Sequence, residues 1–449
     1  MNKTIILRTF LVILILIRCL LPSAEASLSD RVFEATLANG MKVIILEDHS
    51  APTTTFQLWY RVGSQDEAWG KTGLSHMMEH MMYKGTGEIG PEEYSRIIQK
   101  NGGDDNAFTT QDYTSFFVNI SADRLRIPID LESDRMRNLT LREEDFKVER
   151  NVILEERRLS TEDDPQEYLY EQLQAIAFLT SSYRWPIIGW QHDIEQLTLD
   201  DVKMHHRLYY HPGNAFLILA GDLEKDELLK EIEKGFGTIP KGENPLPGKN
   251  REIPQNGERR IIVKREASLP WLLIGYHVPN YPDQDSVVLE VIATLLSHGK
   301  SSRLYKRLVL EKKLALDVEA DHSLLSRDPH LFFISATAAP GSDVRTLEQA
   351  IHGEIALLQS ETMGDRELEK AKNQIAADFL FAQDSIFGQA MLLGQFEIVT
   401  GWREIDAYLP SVQKVTPEDI RRVAKKYLTE VNRTVGILLP LPKQENDND

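Results

Sequence analysis

Thr54-Thr55-Phe56-Gln57-Leu58-Trp59-Tyr60 is echoed further along the chain by Trp271-Leu272-Leu273-Ile274-Gly275-Tyr276, with Tyr60 and Tyr276 aligned. A second pair keeps nearly the same spacing. Thr198-Leu199-Asp200-Asp201-Val202, followed by Tyr209 and Asn214, returns as Thr416-Pro417-Glu418-Asp419-Ile420, Tyr427 and Asn432. The matches give a repeat of 216 to 218 residues in a chain of 449, so the halves read as duplicates. The length is also too great for one ordinary core. Patterning within each half is mixed. Met41-Lys42-Val43-Ile44-Ile45-Leu46 suits a strand, and the apolar stretch from Ser286 to Leu296 suits a helix. Thr416, with Pro417 at the first helical position and Asp419 three residues on, marks a helix start. The expected fold class is α+β: two homologous domains, each a mainly antiparallel sheet with helices packed on one face.

The domains are expected at residues 27–239 and 259–443, joined by a linker over 240–258. Pro240-Lys241-Gly242-Glu243-Asn244-Pro245-Leu246-Pro247-Gly248-Lys249-Asn250 is too rich in Pro, Gly and Lys to build a core. Residues 1–26 read as a secretory signal peptide. Lys3 and Arg8 precede the apolar run Leu11 to Ile17, and Ala24-Glu25-Ala26 is a small-residue cleavage signal. The expected location is therefore periplasmic or secreted. Arg18 interrupts a run already short for a membrane anchor. Cys19, the sole cysteine, lies in the leader behind Arg18, where no acylation site is expected. A mature chain without cysteine forms no disulfide and holds any metal through His, Asp or Glu.

The apolar fraction of 42% and charged fraction of 27% are those of a globular protein. A net charge of -18 argues against non-specific binding to nucleic acid or anionic membrane. It attracts basic peptides and keeps the protein dispersed.

The chemistry lies in Gly73-Leu74-Ser75-His76-Met77-Met78-Glu79-His80-Met81-Met82-Tyr83-Lys84-Gly85-Thr86. Its core is H-x-x-E-H, the reverse of the H-E-x-x-H zinc-peptidase signature. On a helix, His76 and His80 stack one turn apart and can reach one tetrahedral Zn2+. Glu79 lies beside them as a candidate general base. A catalytic zinc wants a third protein ligand. Glu149-Arg150-Asn151-Val152-Ile153-Leu154-Glu155-Glu156 offers candidates. Glu149 and Glu156 lie two turns apart on one face, with Glu155 rotated about 100° away. One of the same-face pair could bind metal while the other orients a histidine.

These motifs resemble the insulinase (pitrilysin) family of zinc metallopeptidases, and within it bacterial members similar to mitochondrial processing peptidase. Three further stretches resemble family blocks: Gly102 to Thr110, Tyr183-Arg184-Trp185-Pro186-Ile187-Ile188-Gly189, and Asn214 to Asp222. The resemblance implies one zinc per chain held by His76, His80 and Glu156, with Glu79 as base and Glu149 behind the ligands. It implies a substrate-holding edge strand at Asn106, Ala107, Phe108 and Thr109, and domains that face each other across a cavity.

The second half departs from the family. It has no H-x-x-E-H, and His298 alone makes no metal site. The family pattern places an arginine and a tyrosine after Ser301-Ser302-Arg303-Leu304, where this chain has Val309 and Leu316. Neither side chain can donate a hydrogen bond. The expectation is a zinc endopeptidase for unfolded peptides, the catalytic chain of a heterodimer whose homologous non-zinc partner supplies the arginine–tyrosine pair. Local substitution by Arg303, Tyr305 or Arg307 is the alternative. A non-catalytic binding or assembly subunit and a small-molecule lyase are the rivals from other classes.

Overall fold

The computed structural model describes residues 27–243, 251–361 and 363–441. The expected leader lies outside these residues. Between 240 and 258, none of the described residues is in a helix or strand. No helix among the described residues is long and apolar enough to cross a membrane.

Two sheets carry the chain. The first contains β1 (Val32–Thr36), β2 (Lys42–Glu47), β3 (Thr53–Tyr60), β4 (Asp104–Thr109), β5 (Thr114–Ser121) and β6 (Ala215–Gly221), in the order β1-β2-β6-β3-β5-β4. The second contains β7 (Arg259–Glu266), β8 (Trp271–Val278), β9 (Ala315–His322), β10 (His330–Ala338) and β11 (Arg433–Leu441), in the order β7-β11-β8-β10-β9. Each sheet has one parallel pair, β2 with β6 and β7 with β11, and is otherwise antiparallel. Removing β1 makes the two orders identical. The duplication extends to single hydrogen bonds. Asn214 Nδ2 donates to the carbonyls of Tyr209 (3.0 Å) and Arg61 (3.4 Å), and Asn432 Nδ2 to those of Tyr427 and His277 (both 2.8 Å). Thr198 and Thr416 each close a capping box with the aspartate three residues on.

Four helices matter for the site: α1 (Leu74–Met82), α2 (Glu143–Arg157), α3 (Pro165–Ala177) and α4 (Ile386–Val399). The first sheet is apolar on both faces, divided by the period of two along each strand. Val43, Ile45, Phe56, Leu58 and Tyr60 pack with Met77, Met78, Met81 and Met82 of α1. Ile44, Leu46, Trp59, Phe216 and Ile218 point the other way and join Ala390, Leu393 and Phe396 of α4. That second face is covered by a helix from the other half. The exchange is mutual, because α3 lays Leu173 and Ala177 on Leu273, Leu331 and Phe333 of the second sheet. Helices of its own half therefore cover one face of each sheet, as expected, and a helix of the other half covers the opposite face. Glycines permit the close approach. A Cβ at Gly394 of α4 would stand 2.2 Å from Trp59 Cζ2, and one at Gly436 would stand 3.0 Å from Leu169 of α3.

Candidate active site

The orientation of α1 is set at its first turn. Gly73 has φ 88°, and a Cβ there would lie 2.6 Å from the Ile188 carbonyl oxygen. Gly189 faces it, with a Cβ position 2.6 Å from Gly73 Cα. The carboxylate of Glu67 accepts from the N–H groups of Gly73 and Ser75, both at 2.7 Å. It thereby pairs donors at the positive end of the helix, although burial lifts its pKa to about 8 against those bonds. With the four methionines buried in the core, His76, Glu79 and His80 are left on the side facing α2 and the cleft.

His76 and His80 lie one turn apart, their ring centroids 4.7 Å from each other. Glu156 of α2 points between them. Its carboxylate oxygens are 3.8 Å from His76 Nε2 and 3.6 Å from His80 Nε2. Those gaps are too long for good hydrogen bonds. They are close to the roughly 3.4 Å that separates two donors of a tetrahedral ion bound at about 2.0–2.1 Å. One donor atom from each residue falls within 4.8 Å of the others, the only such group among the described residues. Two imidazoles and a carboxylate form a donor set suited to zinc with one position left open. Glu149, two turns back on α2, accepts from His80 Nδ1 at 2.9 Å and is paired with Lys84 Nζ at 2.6 Å. Glu155 turns away to Arg158, at 2.6 and 3.0 Å.

Burial, reinforced by the charge of His80, holds His76 down to about 4. Burial also opposes charge on His80, but the hydrogen bond to Glu149 and the nearby carboxylate of Glu156 outweigh it and lift the ring to about 9. Burial raises Glu149, yet His80 and Lys84 overcome it and leave the carboxyl below its ordinary range. Glu79 is the contrasting carboxylate. Burial raises its pKa, and one hydrogen bond, from Thr109 Oγ1 at 2.6 Å, works against the rise.

Glu79, His76 and Glu156 open into a cleft of about 390 Å³. One wall is β4, at the edge of its sheet and paired only with β5. Ala107, Phe108 and Thr109 line the cleft; Asn106 does not, and its side chain accepts from the Ala107 N–H at 2.8 Å in an exposed position. The other wall comes from α3, through Tyr170, Glu171 and Gln174, and from Arg184 to Ile188. Arg157 fastens that wall to α2. It donates to Glu171 at 2.7 and 3.0 Å and to the Gly189 carbonyl at 2.8 Å. Sequence reading missed Glu67, Arg157 and Glu171, none of which belongs to a periodic or metal-ligand pattern, and it gave no role to Lys84.

Among the described residues, none of the second half lines this cleft. Arg303 is held in a two-pronged pair with Glu367 at 2.6 and 2.7 Å. Arg307 pairs with Glu311 at 2.8 Å. Val309 packs against the core, and Leu316 is 50% exposed on the edge strand β9. His298 caps the helix Gln284–Ser297.

This chain belongs to the insulinase family, peptidase family M16. The family description Insulinase (Peptidase family M16) matches residues 42–189, and Peptidase M16 inactive domain matches residues 196–375. The zinc protease PqqE of Helicobacter pylori is 31% identical over 409 residues, covering 90% of this chain and 92% of that protein. The probable mitochondrial-processing peptidase subunit beta of Arabidopsis thaliana is 25% identical, covering 90% and 78%. Among solved structures, a protease from Helicobacter pylori superposes with a TM-score of 0.87 at 30% identity, covering 91% of this chain and 99% of that one.

Proposed function

We propose that this chain is a zinc-dependent endopeptidase for unfolded or short peptides and the catalytic subunit of a two-chain enzyme. The observation that carries the reading is the convergence of His76, His80 and Glu156 on one point beside Glu79. Zinc held by those three residues would polarise the scissile carbonyl and make water a nucleophile near neutral pH. Glu79, its basicity raised by burial, takes a proton from the attacking water and returns it to the leaving amine. Thr109 fixes one oxygen of that carboxylate. Glu149 holds His80 by Nδ1, leaving Nε2 free to bind metal. An extended peptide adds to the open edge of β4, so that main-chain hydrogen bonds hold many sequences.

Two observations support a second subunit. The side chains of Val309 and Leu316 offer no donor, and Arg303 and Arg307 are engaged in ion pairs away from the cleft. The partner is a homologous chain with an arginine and a tyrosine at those positions. The reading also has the chain exported, with its leader removed. A binding or assembly subunit is the second reading, and it has no use for a buried base beside the donor set. Metal analysis of Glu156→Gln tests the first claim: zinc is expected to fall from one equivalent to none, and undiminished zinc refutes the ligand set. Adding the partner to an unstructured-peptide assay tests the second. Activity of the chain alone that already equals the mixture, and is abolished by Arg303→Ala or Arg307→Ala, refutes it.

A further inference from the structure

His76, His80 and Lys84 follow one another at intervals of four, and Glu156 and Glu149 face them from α2. Each glutamate is bracketed by two members of that series. Glu156 sits between His76 and His80, at 3.8 and 3.6 Å. Glu149 sits between His80 and Lys84, at 2.9 and 2.6 Å. The two carboxylates flank opposite edges of the His80 ring, Glu156 facing Nε2 and Glu149 bonded to Nδ1, so Glu149 stands behind the ligand atom. What differs is the second bracket, an imidazole for Glu156 and an ammonium for Glu149. An ammonium has three donors and no acceptor, so it cannot ligate a cation and binds only the carboxylate.

Lys84 is well placed to hold its rung. Its carbonyl accepts from Arg142 Nη2 at 2.8 Å and its N–H donates to the Met81 carbonyl at 3.1 Å. The backbone is therefore tied to both α1 and the start of α2. The side chains of Lys84 and Glu149 are 17% and 8% exposed, which limits screening of the pair by solvent. With Oε1 of Glu149 occupied by Lys84, Oε2 is left to His80 Nδ1.

We propose that Lys84 is a positioning residue that holds Glu149 on His80 Nδ1, so that the ring presents Nε2 to the metal. The inference rests on the zinc reading above. It assigns to Lys84 the fixing of the carboxylate that orients a metal-ligating histidine.

The test uses the full chain with zinc and, separately, cobalt as a visible-absorption probe. Lys84→Met is expected to lose about tenfold in zinc affinity against a competing chelator, as residues that orient a ligand do. Its cobalt absorption should weaken and shift as the coordination departs from tetrahedral. Lys84→Arg, which keeps the charge and the donors, should stay within about threefold of wild type. In the background of Glu149→Gln, Lys84→Met should add no further loss, because the lysine acts through that carboxylate. The proposal is overturned if Lys84→Met matches wild type in both readouts, if Lys84→Arg falls as far, or if the two losses add. If Lys84→Met does not fold, Lys84→Gln takes its place in the same comparison. A wild-type chain that binds neither metal overturns the zinc reading itself, whereas normal binding with an indifferent Lys84 overturns only the positioning role.

Discussion

Zinc binding should release a proton from His80, and the size of the effect follows from the structure. Burial opposes a charge on this ring, but Glu149 at 2.9 Å and Glu156 at 3.6 Å outweigh it and bring its pKa to about 9. At pH 7 the imidazolium then predominates by roughly a hundredfold, and removing its proton costs about 3 kcal/mol. A metal needs the neutral ring. Apparent zinc affinity should therefore rise about tenfold per pH unit between pH 7 and 9 and level off above that range. His76, held down to about 4, is already neutral there and adds no proton. Calorimetric titration at pH 7 in two buffers of different ionisation enthalpy counts the protons, with close to one expected per zinc. The sign also fixes a stability effect in the metal-free chain. A folded-state pKa raised above the unfolded value of about 6.5 gives stabilisation that is full below that pH and lost as pH rises towards 9. Zero protons released at pH 7, together with a flat affinity from pH 7 to 9, would refute the reasoning. Glu149→Gln should shrink the linkage, since it removes a large part of what favours the charged ring.

Thr109→Val removes the hydrogen bond that stabilises the charged form of Glu79, so the acidic limb of the kcat/KM profile should move to higher pH while zinc content stays unchanged. Gly394→Ala drives a methyl group into Trp59 at the helix exchange, and thermal unfolding should report a loss of about 1–3 kcal/mol. Mass spectrometry of the exported chain should find Ser27 as its first residue; a chain that starts at Met1 and fractionates with membrane would mean a retained anchor.

The repeat was legible because it is written in side chains that bond their own backbone. Thr198 with Asp201, Thr416 with Asp419, and the asparagines 214 and 432 make the same local contacts in both halves, so short-range spacing was enough to find them. The same holds for His76, His80, Glu149 and Glu156, whose relations are those of helical periodicity. The exchange of α3 and α4 was not legible. The sequence of α4 is apolar on most sides and says that the helix is buried, without saying against which sheet. Glu67 and Arg157 escaped for a related reason. Each bonds to groups that the fold, and not a spacing rule, brings within reach. Lys84 lay in plain view one turn after His80, and only its contact with Glu149 gives it a role.

The central claim is that Glu79 carries the proton in a zinc site made by His76, His80 and Glu156. Zinc content and hydrolysis of an unstructured peptide, measured side by side for wild type and Glu79→Gln, test it most directly. The account predicts one zinc in both, with activity lower in the variant by about 10²–10⁴-fold, the range for removal of a general base. Equal hydrolysis by the two at equal zinc content would contradict it.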